Sequence, residues 1–515
     1  MKTSIPVKTF YYIVQESYHL TRLHSAAIKA NIQRFPNAHH IVLPPYGILF
    51  YEGLDSKFPR WLKHLQLIYL YIRKQITTTN QLAISLKPFL GDEVLDRLGY
   101  IKPTKWFFYL LKAWAARHLY FAYFRTFNNN ADRFLDEFAI DNIRCGDLII
   151  DSFTRYKGVP NFDISHKFVY SLIIQAKALN LFYNHLLEKS GAASILYCSY
   201  TTYLQWGIPS RIAIKKNARV VTLGSSRCLF RVNFSDRNTL LCAHPNHVLF
   251  NKSRALELPP VVIEEAQKIL HSRLDGKYDK SMSYMSNNTS HEAPKSSHLK
   301  NKNLVVIMLH AFNDSVHIYR WFCFKDFWDW ATKTIEYLST QGYHIIIKPH
   351  PNHDRLSVEA KNELCSLFSN QENLTWISEN TPNSIIFAAR PLLVITGYGS
   401  VIFEAGFAGI KTVVAGDHPA INFNIAKTPR SQQEYFKEIK NALTTPHLTN
   451  QQTLQMKRDC VLALASLMDA EDNQQLMSKF NKSRDSLEDV KFLQSEEVVA
   501  YLEPKFDELA KILAS

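Results

Sequence analysis

The chain has 515 residues, enough for two large domains or three modest ones. It is 46% apolar and 21% charged, which excludes collagen, coiled coil and wholesale disorder. Lys and Arg number 60 against 46 Asp and Glu; the net charge of +14 points to an anionic partner, whether a nucleotide phosphate, a membrane surface or a nucleic acid.

The seven cysteines, at 145, 198, 228, 242, 323, 365 and 460, are odd in number and show no CxxC spacing. They read as reduced thiols of a cytoplasmic chain with no zinc site. The opening Met1-Lys2-Thr3-Ser4-Ile5-Pro6 lacks the apolar run of a signal peptide. No uninterrupted run of about 18 apolar residues predicts a membrane-spanning helix. The basic residues are spread out, and no RNP, zinc-finger or helix-turn-helix signature accompanies them. Nucleic acid is therefore not an expected partner.

Composition and periodicity divide the chain into an N-terminal α/β domain over 1–270, a flexible linker over 271–300, a C-terminal α/β domain over 301–480, and a helical tail over 481–515. In the first domain, Ile41–Leu43, Leu148–Ile150, Ser194–Tyr197 and Arg219–Leu223 read as strands. Helical patterns cover 166–188 and 201–216. A stretch of different character, 51–130, holds twelve Lys/Arg against five Asp/Glu, interleaved with aromatics such as Trp106, Phe107, Phe108 and Trp114. It predicts an inserted helical layer. Its aromatics either form a basic surface for an anionic membrane or turn into the core beneath a solvated basic face.

Gly146-Asp147-Leu148-Ile149-Ile150-Asp151-Ser152 places two carboxylates four residues apart, on one face if the segment is extended. Asp147 and Asp151 are candidates for a general base facing a cleft, or for turn and cap carboxylates. The Ser- and Asn-rich stretch 281–290 has no periodicity and forms the heart of the linker.

Beyond the linker the rhythm is regular. Leu304–Leu309, Tyr343–Lys348, Leu374–Ile377, Pro391–Thr396 and Lys411–Ala415 are short apolar runs suited to buried parallel strands. Helices are expected over 324–338, 355–369 and 402–409. Strands alternating with helices imply a doubly wound sheet, whose ligands lie beyond the carboxyl ends of its strands. The tail from Ser495 to Ala514 reads as a terminal helix that packs back on the first domain.

Four loops stand at those carboxyl ends. Lys348-Pro349-His350-Pro351 offers a cation and a hydrogen-bond donor on a turn stiffened by two prolines. Thr396-Gly397-Tyr398-Gly399-Ser400 follows a strand and opens a helix; its small residues let backbone approach a phosphate. Glu404 lies one turn beyond Ser400 and can accept from a ribose diol. Ala415-Gly416-Asp417-His418-Pro419 either shapes a pocket floor or ends a strand. His310-Ala311-Phe312-Asn313-Asp314-Ser315-Val316-His317 is dense in polar groups. His310 and His317 can bind phosphate or donate a proton, with Asp314 orienting one of them. Without a helical i,i+4 histidine pair, no metal site is expected there.

Lys348-Pro349-His350-Pro351, followed about fifty residues later by Gly399-Ser400-Val401-Ile402-Phe403-Glu404-Ala405, resembles the donor half of GT-B glycosyltransferases, and in particular those of bacterial capsule and surface-polysaccharide synthesis. The likeness covers about 304–425, is patchy over 140–225 and is missing over 51–130. It implies two Rossmann-like domains facing a cleft, with the donor held by the C-terminal one. It assigns Lys348 and His350 to the donor's phosphate, Gly399 and Ser400 to its cradle, and Glu404 to ribose. The implied substrates are a nucleotide sugar and a glycan or lipid-linked acceptor, at the inner face of a membrane. No separate cofactor or metal is implied. The donor nucleotide stays open among CMP, CDP, UDP and GDP; similar motifs serve β-Kdo and glycerol-phosphate transferases. In many retaining enzymes of this class a second Glu stands eight residues before the ribose Glu. Here that position is Thr396, which favours an inverting reaction with a carboxylate base.

Overall fold

The computed structural model describes residues 7–14, 18–46, 83–101, 103–188, 190–223, 230–232, 252–275, 303–318, 320–351, 355–445, 447–469, 476, 479 and 487–514. The chain forms two compact units. One comprises Met1–Lys157, Asp163–Pro245 and Lys479–Ser515; the other comprises Gly158–Phe162 and Asn246–Ser478. Most of the expected linker, and residues 51–82 of the expected insertion, lie outside the described residues.

In the first unit six strands form one sheet: β1 (Thr9–Ile13), β2 (His39–Leu43), β3 (Leu98–Tyr100), β4 (Ser194–Cys198), β5 (Arg219–Thr222) and β6 (Arg231–Val232). Their order is β3-β2-β1-β4-β5-β6. The first five run parallel, and β6 pairs antiparallel with β5. Strand β1, Thr-Phe-Tyr-Tyr-Ile, is buried throughout. Its polar tips are satisfied inside: Asn31 Nδ2 donates to Tyr12 Oη (3.1 Å) and Tyr197 Oη (2.8 Å), and Tyr12 Oη lies 3.1 Å from His40 Nδ1. The aromatic richness of the sequence thus serves a core in which the Tyr12 and Tyr197 hydroxyls find partners.

The first unit's helices are α1 (Tyr18–Arg34), α2 (Pro103–Ala115), α3 (Arg117–Arg125), α4 (Gly146–Lys157), α5 (Lys167–Glu188) and α6 (Tyr203–Lys215). Helix α2 packs along α5. Two expectations are corrected here. Leu148–Ile150 is the middle of α4, not a strand: the helix is buried without a break from Gly146 to Thr154. A helix that buries polar residues such as Asp147 and Asp151 along with apolar ones has no clean apolar stripe to betray it, and a three-residue apolar run reads as a strand. The 51–130 stretch is not wholly helical either, because β3 belongs to the sheet.

The second unit begins its secondary structure N-terminal to the expected boundary. Helix α7 (Pro260–Leu274) belongs with it, since the division falls after Pro245. Five strands follow: β7 (Leu304–Met308), β8 (His344–Lys348), β9 (Leu374–Trp376), β10 (Leu393–Thr396) and β11 (Thr412–Val414). Their order is β9-β8-β7-β10-β11, all parallel. The helices are α8 (Phe327–Ser339), α9 (Arg355–Leu367), α10 (Asn383–Ala388), α11 (Val401–Phe407), α12 (Gln432–Thr444) and α13 (Asn450–Asp469).

Period-two alternation explains the continuous apolar strands. Val305 and Ile307 pack with α8 and α12 through Trp330, Ile335, Tyr435 and Ile439. Leu304, Val306 and Met308 turn the other way, onto Ile386, Phe387 and Ala405. Both units therefore carry the Rossmann-like order 3-2-1-4-5.

The last helix, α14 (Glu496–Ala514), packs on α1 in the first unit. Arg22 Nε donates to Leu493 O (3.0 Å) just before it, and Lys29 pairs with Glu503. Among the described residues no helix is long and apolar enough to cross a membrane.

Candidate functional site

In an open parallel sheet the crevice at the switch of strand order collects ligands, because the loops on either side diverge there. In the second unit that switch lies between β7 and β10. The loops after β7, β8 and β10 bring three of the expected segments together.

His310 leaves β7 and lies flat on Phe327, with ring centroids 4.2 Å apart and planes at 13°. The His350 ring, after β8, is 5.7 Å away. Gly397, after β10, closes the third side: a Cβ there would sit 2.8 Å from the Phe327 ring and 3.7 Å from His310 Cβ. The absence of a side chain at 397 is what admits the His310–Phe327 stack. Gly399 is needed for a different contact, since its Cβ would meet Thr396 Oγ1 at 2.6 Å. Thr396 Oγ1 accepts from Gly399 N (3.3 Å) and holds the turn. Ser400 is half-buried at the start of α11.

Burial pushes the His310 pKa below its ordinary value, against the opposing pull of Asp314. The ring is therefore neutral near pH 7. Its Nδ1 faces Ala311 O at 3.4 Å, with Asp314 Oδ2 at 3.7 Å. Both are acceptors, so the proton sits on Nδ1 and Nε2 is the basic nitrogen. Asp314 is exposed. His317 lies in the short turn Val316–Ile318, half-buried.

Lys348 and Glu404, assigned by the resemblance to the donor's phosphate and ribose, are both buried and hydrogen-bonded within the protein. Lys348 is 9% exposed and Glu404 3%. Lys348 Nζ donates to Thr381 O and Asn383 Oδ1, each at 2.7 Å. Asn383 Nδ2 in turn donates to Glu404 Oε2. An ammonium taken out of water demands acceptors, and the loop after β9 supplies them. Burial lowers the Lys348 pKa to about 8, while Glu404 and Glu379 raise it. The pair forms the inner frame of the site, with Asn383 as the bridge. Sequence reading missed Asn383. Its signal is the turn Thr381-Pro382-Asn383 after β9, a fifth carboxyl-end loop.

The loop after β11 is also held by buried bonds. Asp417 is fully buried and takes a two-pronged bond from Arg320, at 2.9 and 2.8 Å. Tyr398 Oη donates to Trp321 O at 2.8 Å. A Cβ at Gly416 would strike both Trp321 O (2.6 Å) and Tyr398 Oη (2.8 Å). Asp326 caps α8, accepting from Asp329 N (2.7 Å) and from Phe162 N (2.9 Å). Burial raises its pKa to about 6 despite those bonds.

Asp147 and Asp151 belong to the first unit. Both are buried. Asp147 forms a bidentate ion pair with Arg211 of α6, Oδ1 to Nη1 at 2.8 Å. Asp151 accepts from Thr202 Oγ1 at 3.1 Å. On a helix their spacing of four does put them on one face, but that face meets α6. Gly146 opens α4 because a Cβ would collide with the Phe134 carbonyl. Among the described residues no three His, Cys, Asp or Glu stand together as a metal site would need.

The sequence matches no protein family and no curated protein. Several solved structures are similar to it at 10% identity. A UDP-GlcNAc 2-epimerase from Neisseria meningitidis, bound to UDP-GlcNAc, covers 91% of this chain and 99% of its own at a TM-score of 0.25. A glycosyltransferase from Rickettsia africae ESF-5 covers 96% and 100% at a TM-score of 0.28. The fold itself is defined by strand order and register.

Proposed function

We propose that the chain is a glycosyltransferase that takes a sugar from a nucleotide-sugar donor, and that the carboxyl edge of the second unit's sheet holds the donor. The observation that carries this reading is the meeting of His310, His350 and the Gly397–Ser400 turn at the strand-order switch. Backbone that approaches closely at Gly397 and Gly399 suits a diphosphate, and an imidazole N–H of His350 donates to it. The Nε2 of neutral His310 is a proton acceptor for an incoming hydroxyl. Lys348, Asn383 and Glu404 hold the loops in register and act on the donor through them. Donors to the leaving phosphate, in a dry site, stabilise the charge that develops there. The acceptor is a lipid-linked or growing surface glycan, as the motif order of 304–425 suggests.

The test is thermal unfolding of the purified chain with CMP, CDP, UDP, GDP and their sugar or glycerol conjugates. A ligand that binds only the folded state raises Tm by mass action. The reading requires a shift with one nucleotide, a larger one with its sugar conjugate, and loss of both in His350→Ala. A response confined to CDP-glycerol replaces sugar transfer with polyol-phosphate transfer. No shift with any nucleotide removes the donor site.

A further inference from the structure

The first unit carries a second concavity, at the opposite end of its sheet from where a Rossmann-like unit takes nucleotides. A cavity of about 840 Å³ lies at the amino ends of β1 and β2, walled by α2 and the last turns of α5. Lys8, His39, Lys105 and His185 reach it, and its described lining includes no Asp or Glu. Phe108, Tyr109 and Phe182 give it an aromatic side, and Thr9, Asn37 and Ser190 add uncharged polar groups. Two lysines and two imidazoles beside an aromatic wall match a molecule with an anionic head and an apolar body.

The trough continues onto an exposed face. Helix α2 packs inward through Trp106, Leu110 and Ala113, yet leaves Phe108 51%, Leu111 40% and Trp114 44% exposed; on α3, Leu119 is 60% exposed. Monomeric proteins rarely leave so many large apolar groups together without use. Lys112 Nζ sits 4.3 Å above the Phe108 ring and the Arg117 guanidinium 3.9 Å above Trp114. Helices α2 and α3 hold Lys105, Lys112, Arg117 and Arg125 and no acidic residue. Two copies of this face would repel each other. Aromatic groups at headgroup depth, ringed by Lys and Arg, fit an anionic bilayer surface.

We propose that this trough and the adjoining α2–α3 face bind an anionic, phosphate-bearing lipid in a bilayer surface. The headgroup phosphate lies among Lys8, His39, Lys105 and His185, and the apolar part lies along Phe108 and Phe182. A free phosphate would need the cations but not the exposed Phe108, Leu111 and Trp114. The proposal is independent of the donor-site reading, since no nucleotide takes part.

The test is co-sedimentation of the full chain with phosphatidylcholine vesicles, with and without phosphatidylglycerol. Wild type should bind only vesicles that contain phosphatidylglycerol, and less tightly as salt rises. Lys8→Glu with Lys105→Glu, and separately Phe108→Ser with Trp114→Ser, should each weaken that binding about tenfold or more. Lys8, Lys105, Phe108 and Trp114 are exposed, so both double variants should keep the wild-type Tm. Wild type that ignores phosphatidylglycerol overturns the proposal, as does a charge-reversed variant that binds like wild type. A rise in Tm with inorganic phosphate, lost in Lys8→Glu with Lys105→Glu and without any vesicle binding, overturns the proposal and assigns the cavity to a soluble phosphate instead. A dimer by sedimentation velocity that Phe108→Ser with Trp114→Ser dissolves assigns the face to a second copy.

Discussion

Lys348 and Glu404, fifty-six residues apart in sequence, are tied through one amide: Asn383 accepts from the ammonium and donates to the carboxylate. All three stand at the carboxyl edge of the same sheet, and neither charge is open to solvent. Buried opposite charges joined this way are costly to separate, because the survivor has no water to turn to. Lys348→Met and Glu404→Gln should each destabilise the second unit by about 3–5 kcal/mol. The double variant should lose markedly less than the sum of the two. Urea unfolding of the three variants measures the coupling. Strict additivity would mean that the chain through Asn383 is not formed.

The His310–Phe327 stack gives a separate handle on the site. Gly397→Ala places a methyl 2.8 Å from the Phe327 ring. Over-packing of this kind costs about 1–3 kcal/mol. The ring must tilt, and His310 loses the plane it rests on. Nucleotide affinity should fall at least as far in Gly397→Ala as in His310→Gln, with Tm in the latter near wild type. Wild-type affinity in both variants would detach the β7 and β10 loops from ligand binding.

Strands of the second unit could be read from sequence because both faces of its sheet are covered. A strand such as Leu304–Met308 then has no polar position to blur it. The same total burial hid α4, whose Leu148-Ile149-Ile150 looks identical to a strand over three residues. The loops of the site were also readable, since a doubly wound sheet dictates where they lie. What each side chain does there was not. Lys348 after an apolar strand has the same sequence appearance whether it meets a ligand or the carbonyl of Thr381. Only the fold decides, by putting Asn383 and Glu404 beside it. In the 51–130 stretch buried and exposed aromatics share one helix. Trp106 is core and Phe108 is surface, two positions apart on α2.

Asp147 illustrates a carboxylate whose setting speaks for architecture. It is buried against Arg211, which also reaches the carbonyl of Arg144. Asp147→Asn leaves a buried guanidinium without its counter-charge and should cost about 3–5 kcal/mol. Arg211→Met with Asp147→Leu should recover much of that loss, since apolar residues of similar volume replace such pairs well. Denaturant unfolding checks both. If Asp147→Asn instead unfolds like wild type but abolishes transfer, the residue belongs to the chemistry.

His24 makes the first unit sensitive to acid. It is fully buried on α1, its Nε2 is 3.2 Å from Ser199 Oγ, and its Nδ1 has no hydrogen-bond partner among the described residues. Burial pushes its pKa down to about 3. The unfolded chain takes up a proton on this ring near its ordinary value of about 6.5, while the folded chain does not. Protons therefore favour the unfolded state, and stability that is complete above pH 6.5 is lost as pH falls towards 3. The loss from this one ring is on the order of 5 kcal/mol across that window. His40, pushed down to about 4 by burial, adds to the same slope. His24→Phe removes the titrating group and should flatten the dependence of unfolding free energy on pH below 6.5. Its stability at pH 8 should stay within about 1 kcal/mol of wild type, the typical worth of the Ser199 bond. An unchanged slope in His24→Phe would mean that the ring is not held neutral in the fold.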